Sequence, residues 1–439
     1  MAKNVKTVGI YTLGCKVNQY ESQAIAEELS RFGFSVLAPS CVCDAYIINT
    51  CTVTAESDRK ARQFIRRAIS RNPNAIIVVT GCMAQTSPQD VAKIEGVDVI
   101  IGNTDKLFAA KAAHELVLSG RKNVSPEIYV SDINCAEFEK MNITSFERTR
   151  AYIKIEDGCE SRCTYCIIPD ARGKIRSKPL DEVINEVRAL TENGCREVVL
   201  TGIETASYGK DLEDGTDLAT LLERVNAIDG IGRIRLGSLD PSLIKRDFAQ
   251  RISKLEHLAP HFHLSLQSGS SRILALMKRK YNADQAMRAI GLLREYIPNV
   301  KFTTDIIVGF PGETDEDFND TVEFVKRAHF LTTHIFPYPK RAGTIASAMS
   351  GQISKEEKNR RLHVLSNVEA EARRELLESE ISACREKEVL FETWKDGVAT
   401  GHTSDFLQVS VPSVRPLHAC LAQVRILSTD GNVLFGELI

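Results

Sequence analysis

Three cysteines in one short segment, Cys159-Glu-Ser-Arg-Cys163-Thr-Tyr-Cys166, define the chemistry to be explained. Thiolates so spaced hold three irons of a 4Fe–4S cluster, and with no fourth ligand evident nearby one iron stays open for a small molecule. Zinc is the competing reading. It wants four ligands, and the nearest downstream histidines, His261 and His263, lie far along the chain. A second trio is dispersed: Cys15, Cys51 and Cys82 each follow an apolar run (Thr7–Leu13, Ala45–Ile48, Ala75–Thr80). In a parallel sheet such run ends share one edge, where ligands bind. The three therefore converge in space and again leave one iron open, with Gly14 and Gly81 permitting sharp turns. Single buried cysteines near strand ends are common; three at equivalent ends argue for ligation.

The elements that must carry these residues follow from periodicity. In the first third, strands at Thr7–Leu13, Phe34–Leu37, Ala45–Ile48, Ala75–Thr80 and Val97–Ile101 alternate with helices such as Glu21–Arg31 and Glu56–Arg71, predicting an open parallel sheet. Ser119–Phe146 reads as a linker. The middle repeats the pattern with strands at Tyr152–Ile155, Glu197–Thr201, Arg233–Leu239, His261–Gln267, Lys301–Val308 and His334–Tyr338. Six βα units suit a partial (β/α)6 barrel, with the clustered cysteines at its C-terminal rim. Lys355–Cys384 is a long helix striped by Leu362, Leu365, Val368, Ala372 and Leu376. Five short strands after it, Val389–Trp394, Val398–Thr403, Phe406–Val411, Leu421–Leu427 and Val433–Leu438, predict a small OB-like β-barrel. The chain is thus expected to be α/β, with domains at 1–130, 131–375 and 376–439.

Composition narrows the function. With 439 residues, 43% hydrophobic and 26% charged, the chain is not disordered, collagenous or a coiled-coil rod. Its formal charge is 56 − 58 = −2, so nucleic-acid contact needs local patches. Arg172, Lys174, Arg176 and Lys178 alternate and would share one face of an extended segment. Residues 56–71 carry six Lys/Arg against two acids, and Lys278-Arg279-Lys280 forms a third patch. Residues 385–439 carry five basic against seven acidic groups, so RNA contact there would use shape, hydrogen bonds and aromatics such as Phe406 or Trp394. No apolar run approaches the roughly 18 residues of a membrane span, and Met1-Ala-Lys-Asn-Val-Lys6 lacks the core of a secretion signal. Twelve cysteines in so long a chain fit a reducing, cytoplasmic setting rather than a disulfide scaffold. Cys41, Cys43, Cys135, Cys195, Cys384 and Cys420 read as structural.

The CxxxCxxC with Tyr165 before its last cysteine resembles the signature of radical S-adenosylmethionine (SAM) enzymes. More closely, Leu13-Gly-Cys-Lys-Val-Asn18, Asn49-Thr-Cys-Thr-Val53, Gly81-Cys-Met-Ala-Gln85, Cys163-Thr-Tyr-Cys-Ile-Ile-Pro169 and Thr304-Asp-Ile-Ile-Val-Gly-Phe-Pro-Gly-Glu-Thr314 resemble the radical-SAM methylthiotransferase family over essentially the whole chain. The terminal β module sits where that family has its TRAM domain. Gly14-Cys-Lys-Val-Asn18 is similar to the branch acting on N6-threonylcarbamoyladenosine. The branches acting on isopentenyladenosine in tRNA and on a ribosomal-protein aspartate are the alternatives. Asp170, Lys178 and Ala342 depart from residues common in the family.

The resemblance implies methylthio transfer to C2 of the modified adenosine 37 beside the tRNA anticodon. It implies two 4Fe–4S clusters, on Cys15/Cys51/Cys82 and on Cys159/Cys163/Cys166, and SAM used both as methyl donor and as radical source. SAM contacts are expected from Tyr165, from Thr201, Gly202 and Glu204 after the second barrel strand, and from Ser238, Gln267 and Asp305; each could instead be an ordinary barrel residue. Lys16, Arg172, Lys174, Arg176 and Arg341 are the candidate substrate contacts. Implied partners are the anticodon stem-loop, an electron donor such as flavodoxin or ferredoxin, and a sulfur source.

Overall fold

The computed structural model describes residues 5–146, 149–383 and 386–439. Cys384, Arg385 and the first four residues, for which expectations were given above, lie outside them. Six parallel strands form the first sheet: β1 (Thr7–Thr12), β2 (Ser35–Leu37), β3 (Ala45–Thr50), β4 (Ile76–Gly81), β5 (Val99–Ile101) and β6 (Glu127–Tyr129), in the order β2-β1-β3-β4-β5-β6. Every residue of β3 and β4 is buried, as strands covered by helices on both faces require. The edge strand β6 falls within the segment expected to be a linker. All three of its residues are exposed, so it has no apolar alternation to betray it. Helix α1 (Lys16–Arg31) begins immediately after Cys15 and five residues before its expected start.

The second unit is a partial barrel whose wall is made of seven strand segments in two sheets, of three and four strands. A small antiparallel ribbon, β8 (Glu156–Asp157) with β9 (Arg176–Ser177), brackets the cysteine loop beside its first strand β7 (Ala151–Lys154). β10 (Glu197–Thr201) and β11 (Arg233–Leu236) continue the wall. Then β12 (Ser238–Leu239), β13 (His261–Gln267), β14 (Lys301–Val308) and β15 (Thr332–Pro337) form the other half. The strand expected at Arg233–Leu239 is split between β11 and β12 at Gly237, where a Cβ would lie 3.0 Å from Thr201 Oγ1.

The first unit bridges the open side of this barrel. Tyr20 and Ala24 of α1 join the barrel core against β7. Arg341, after β15, reaches Asp58 and Thr52 of the first unit at 2.8 and 2.5 Å.

Helix Lys355–Ser382 leads to a closed barrel of β16 (Glu386–Lys395), β17 (Val398–Thr403), β18 (Gln408–Pro412), β19 (Leu421–Thr429) and β20 (Leu434–Leu438). Leu365 and Leu377 on the helix are buried as an apolar seam. Buried Arg361 pairs with Glu313 at 2.6 Å, and buried Glu380 takes Lys301 at 2.7 Å and Lys387 at 2.9 Å. Phe406 stacks between His261 and His402 (centroids 4.4 and 4.7 Å) under the Arg235 guanidinium. It fills the N-terminal end of the larger barrel and is not an RNA-stacking surface. Trp394 keeps an exposed face.

Candidate active site

The sheet order reverses between β1 and β3, and ligands of open α/β sheets gather at such a switch point. Cys15 caps α1 after β1, Cys51 follows β3, and Cys82 opens the helix after β4. Gly14 adopts φ +97°, and a Cβ there would lie 2.7 Å from Cys51 Cβ and 2.8 Å from its Sγ. Glycine alone lets the two cysteines approach so closely. Burial pushes the Cys51 thiol up to about 11, with Cys82 and then Cys15 adding to the rise. Burial also raises Cys15, opposed by Arg172.

The second trio lies on the loop from β8. Gly158 (φ +91°) precedes Cys159, and a Cβ there would meet Lys174 O at 1.9 Å. Cys159 Sγ donates to Glu204 Oε2 at 3.0 Å, Cys163 Sγ accepts from Arg279 Nη1 at 3.3 Å, and Cys166 Sγ accepts from Ile168 N at 3.4 Å. Burial pushes Cys166 up to about 11 and, with Glu204 beside it, raises Cys159 further.

Between the trios lies Arg172. It is fully buried. Its Nε donates to Cys82 Sγ at 3.3 Å, Nη1 to Glu21 at 2.6 Å and Asp157 at 3.0 Å, and Nη2 to Asn18 at 2.5 Å. Among the described residues, the ion pairs of Arg172, Lys106, Lys154 and Arg176 fall on two carboxylates, Glu21 and Asp157, with buried Glu139 also acting on Lys154. This buried positive surplus beside the thiols is the counter-charge an anionic iron–thiolate group needs.

A single zinc ion is a poorer fit. Among the described residues the group of ligand atoms lying within 4.8 Å of one another is His263, Asp305 and His334, not either thiol trio. Zinc held at about 2.3 Å from each sulfur would draw three thiolates well inside that spacing. Both trios therefore fit a polynuclear cluster with an open position.

The expected SAM residues separate into two levels. Thr201 and Gln267 end β10 and β13, Gly202 and Glu204 follow β10, and Ser238 opens β12 just beyond β11; Glu204 touches Cys159 and Ser161 of the cysteine loop. A Cβ on Gly202 would sit 2.5 Å from Glu156 Oε2, so backbone must pass there. Burial opposes ionisation of Glu204, but Cys159, Lys280 and Lys210 together hold its carboxyl below the usual value. Gln267 has φ +74° at an irregularity in the β13–β14 ladder, local strain of the kind found at binding sites. Tyr165 packs half-buried below the loop. Asp305 sits lower, inside the barrel, with His263 and His334.

Several expected substrate contacts are corrected. Arg172 belongs to the buried network above. Arg176 is buried and donates to Arg172 O and Lys174 O. Lys178 is buried on Glu186 at 2.7 Å. Of that alternating run only Lys174 is exposed, because the segment folds under the cysteine loop. Arg341 is buried against Asp58 and Thr52 and steadies the residues after Cys51. In the third patch Arg279 is taken by Cys163 and Asp240, leaving Lys278 and Lys280 exposed. Arg66 and Arg67 of helix α2 (Ala55–Arg71) remain exposed. Lys16 turns into the barrel. Burial lowers its pKa, and the charges acting on it belong to Arg235, Arg150, Glu197 and Asp305, on four different parts of the barrel wall.

Sequence reasoning missed Arg279 and Arg235, and weighed His263 only as a zinc ligand. Arg279 lay within a noted basic run. Nothing local marks Arg235 or His334.

Comparison with known proteins places both units. Residues 153–325 match the model of the radical SAM superfamily, and residues 7–102 match that described as uncharacterized protein family UPF0004. The chain is 38% identical over 438 residues to the threonylcarbamoyladenosine tRNA methylthiotransferase MtaB of Bacillus subtilis, covering 99% of this chain and 96% of that protein. It is 38% identical to the Thermotoga maritima protein of the same name, covering 98% and 96%. It is 35% identical to a tRNA-2-methylthio-N(6)-dimethylallyladenosine synthase of Moorella thermoacetica over the full length of both. The fold is similar to that of the radical SAM methyltransferase TsrM of Kitasatospora setae (TM-score 0.54, 17% identity, 76% of this chain and 75% of that chain). The chain belongs to the MtaB family of radical-SAM tRNA methylthiotransferases.

Proposed function

We infer that this chain transfers a methylthio group to C2 of N6-threonylcarbamoyladenosine in tRNA. One observation carries the reading. Two cysteine trios, each placed to leave a cluster position open, lie to either side of Arg172 above a barrel lumen lined with charged and imidazole groups. Bound there, two 4Fe–4S clusters and SAM supply sulfur transfer and radical hydrogen abstraction. The chain's own residues do the rest. The Cys15 and Cys159 loops are tied into one frame by Arg172, through Asn18 and Asp157. Glu204, Thr201 and Gly202 line the rim where SAM would lie beside Cys159. The floor is closed by Phe406, which limits water around a reactive centre. Exposed Arg66, Arg67, Lys174, Lys278 and Lys280 offer phosphate contacts for the anticodon stem-loop.

The three units work as an auxiliary-cluster domain (1–130), a radical domain (131–375) and a TRAM domain (376–439). Among the described residues no helix is long and apolar enough to cross a membrane. A cytoplasmic enzyme, reduced by a flavodoxin- or ferredoxin-type donor and fed by a separate sulfur source, fits this reading.

Loss of the C2-methylthio nucleoside from a deletion strain, read by mass spectrometry of tRNA, tests the assignment. Anaerobically reconstituted protein should hold about eight irons, and about four when either cysteine trio is changed to Ala. Variants of Cys159, Cys163 and Cys166 should lose SAM cleavage. Variants of Cys15, Cys51 and Cys82 should keep cleavage and lose product. A Cys15/Cys51/Cys82 variant that still methylthiolates tRNA would overturn the division of labour.

A further inference from the structure

Below the rim, the lumen carries polar groups that cluster binding does not use. His263 Nε2 lies 3.3 Å from Asp305 Oδ2, and His334 stands 5.9 Å from His263, ring to ring. Thr303 Oγ1 holds His263 Nδ1 at 3.0 Å and so fixes which nitrogen faces Asp305. Asp305 is paired with His334 in the β14–β15 ladder. Lys16, in the first turn of α1, is close enough to Asp305 of this arc to feel its charge, and the structure shows no hydrogen bond or ion pair for it among the described residues. Deeper still is Arg235, 2% exposed. Its Nε is on Glu197 at 2.9 Å and its Nη2 reaches Ser404 O at 3.2 Å, but its Nη1 has no partner. Arg235 is therefore part of the floor, and the cation left to meet a ligand is Lys16, whose ammonium is costly to leave unpaired in so confined a place.

We propose that this arc, with Lys16 acting on it, is the subsite for the threonylcarbamoyl group on N6 of the substrate adenosine. The proposal rests on the function inferred above and names the residues that select its substrate. In a purine, C2 and N6 lie on opposite sides of N1. Their outward bonds diverge, so a base whose C2 faces the clusters can direct its N6 substituent down the lumen. The threonylcarbamoyl group carries one carboxylate, one hydroxyl and urea-type N–H and C=O groups. Its carboxylate matches the ammonium of Lys16. Asp305 accepts from its N–H or hydroxyl, and His263 and His334 contact the rest. An isopentenyl group satisfies none of these, and a site built around polar partners rejects a ligand lacking them strongly.

The test uses the reconstituted full-length enzyme and three anticodon stem-loops, bearing threonylcarbamoyladenosine, its carboxyl methyl ester, or isopentenyladenosine. The parent should prefer the free carboxylate over the ester by at least about tenfold in kcat/KM. Lys16→Met should lose about 100-fold on the carboxylate substrate and less than about threefold on the ester, with iron content and SAM cleavage kept. His334→Phe should narrow the gap between threonylcarbamoyl and isopentenyl substrates. Equal losses of Lys16→Met on acid and ester, or a parent indifferent to esterification, would overturn the subsite. So would a stoichiometric divalent ion beyond the cluster iron that His334→Phe removes, since the arc would then be a metal site. A parent inactive on all three stem-loops would instead refute the inferred function.

Discussion

Arg172→Lys keeps a positive charge but removes the Nε–H aimed at Cys82 and the fork that spans Glu21, Asp157 and Asn18. Arg172→Met removes the charge as well. Breaking one member of a buried ion cluster costs about 3–5 kcal/mol. Glu21 keeps Lys106 and Lys154, and Asp157 keeps Lys154 and Arg176. The expected cost of Arg172→Met is therefore at the low end, about 3 kcal/mol, concentrated at the seam between the first unit and the barrel. An N–H bond to a ligating sulfur favours the reduced, more negative cluster, so its loss lowers the reduction potential. A tenfold change in the oxidised-to-reduced ratio of a one-electron couple is about 59 mV, and a shift of that order is expected for the Cys15/Cys51/Cys82 cluster in Arg172→Lys. The assay is a redox titration of anaerobic holoenzyme followed by electron paramagnetic resonance, with Arg279→Lys as comparator. Arg279 donates to Cys163, so its replacement should move the other cluster. Unchanged potentials in both variants, or an Arg172→Met protein that melts like the parent, would refute the reasoning.

Two further outcomes follow from the floor of the barrel. Burial works against Glu197, but Arg235, Arg150 and Arg233 hold its carboxyl at about 2. The stability it adds, about 3 kcal/mol, is full above the usual carboxylate value near 4.5 and is lost as pH falls through about 2. Trp394 is the chain's one tryptophan and lies in the terminal barrel, so its fluorescence should report an acid transition there that Glu197→Gln flattens; an identical transition in that variant would contradict the assignment. Phe406→Ala should cost about 2–3 kcal/mol for a half-buried ring and admit water, raising the ratio of 5′-deoxyadenosine to methylthio product. An unchanged ratio would mean the floor does not seal.

Strands β3, β4, β10, β13 and β14 were legible because each is a continuous or alternating apolar run between turn residues. The placing of Cys15, Cys51 and Cys82 at strand ends was legible because they follow the apolar runs of β1, β3 and β4, and the shared loop of Cys159, Cys163 and Cys166 was legible from their spacing. What escaped was decided across the chain rather than along it. Alternation in Arg172–Lys178 looked like a solvated basic face, yet Glu21, far along the chain, and Asp157 and Glu186, on neighbouring elements, draw three of its members inward. Phe406 looked like a free aromatic until His261 and Arg235 of another unit were seen to enclose it. Arg235 and His334 carry no local signal, since a charged residue in a strand is as compatible with an outward as with a lumen position.

With Phe406 stopping the lower end and the first unit spanning the side gap, the chamber is a blind well. Traffic through it has an order. On the function inferred above, SAM bound at the rim beside the Cys159 loop would enter before a tRNA base that caps the opening. Spent fragments of SAM would leave only after the base withdraws. A second SAM for the same tRNA then requires either release of the base between two visits or loading of the sulfur centre before the tRNA arrives. The geometry favours loading first, so methylated enzyme should accumulate in the absence of tRNA and discharge in a single burst when tRNA is added.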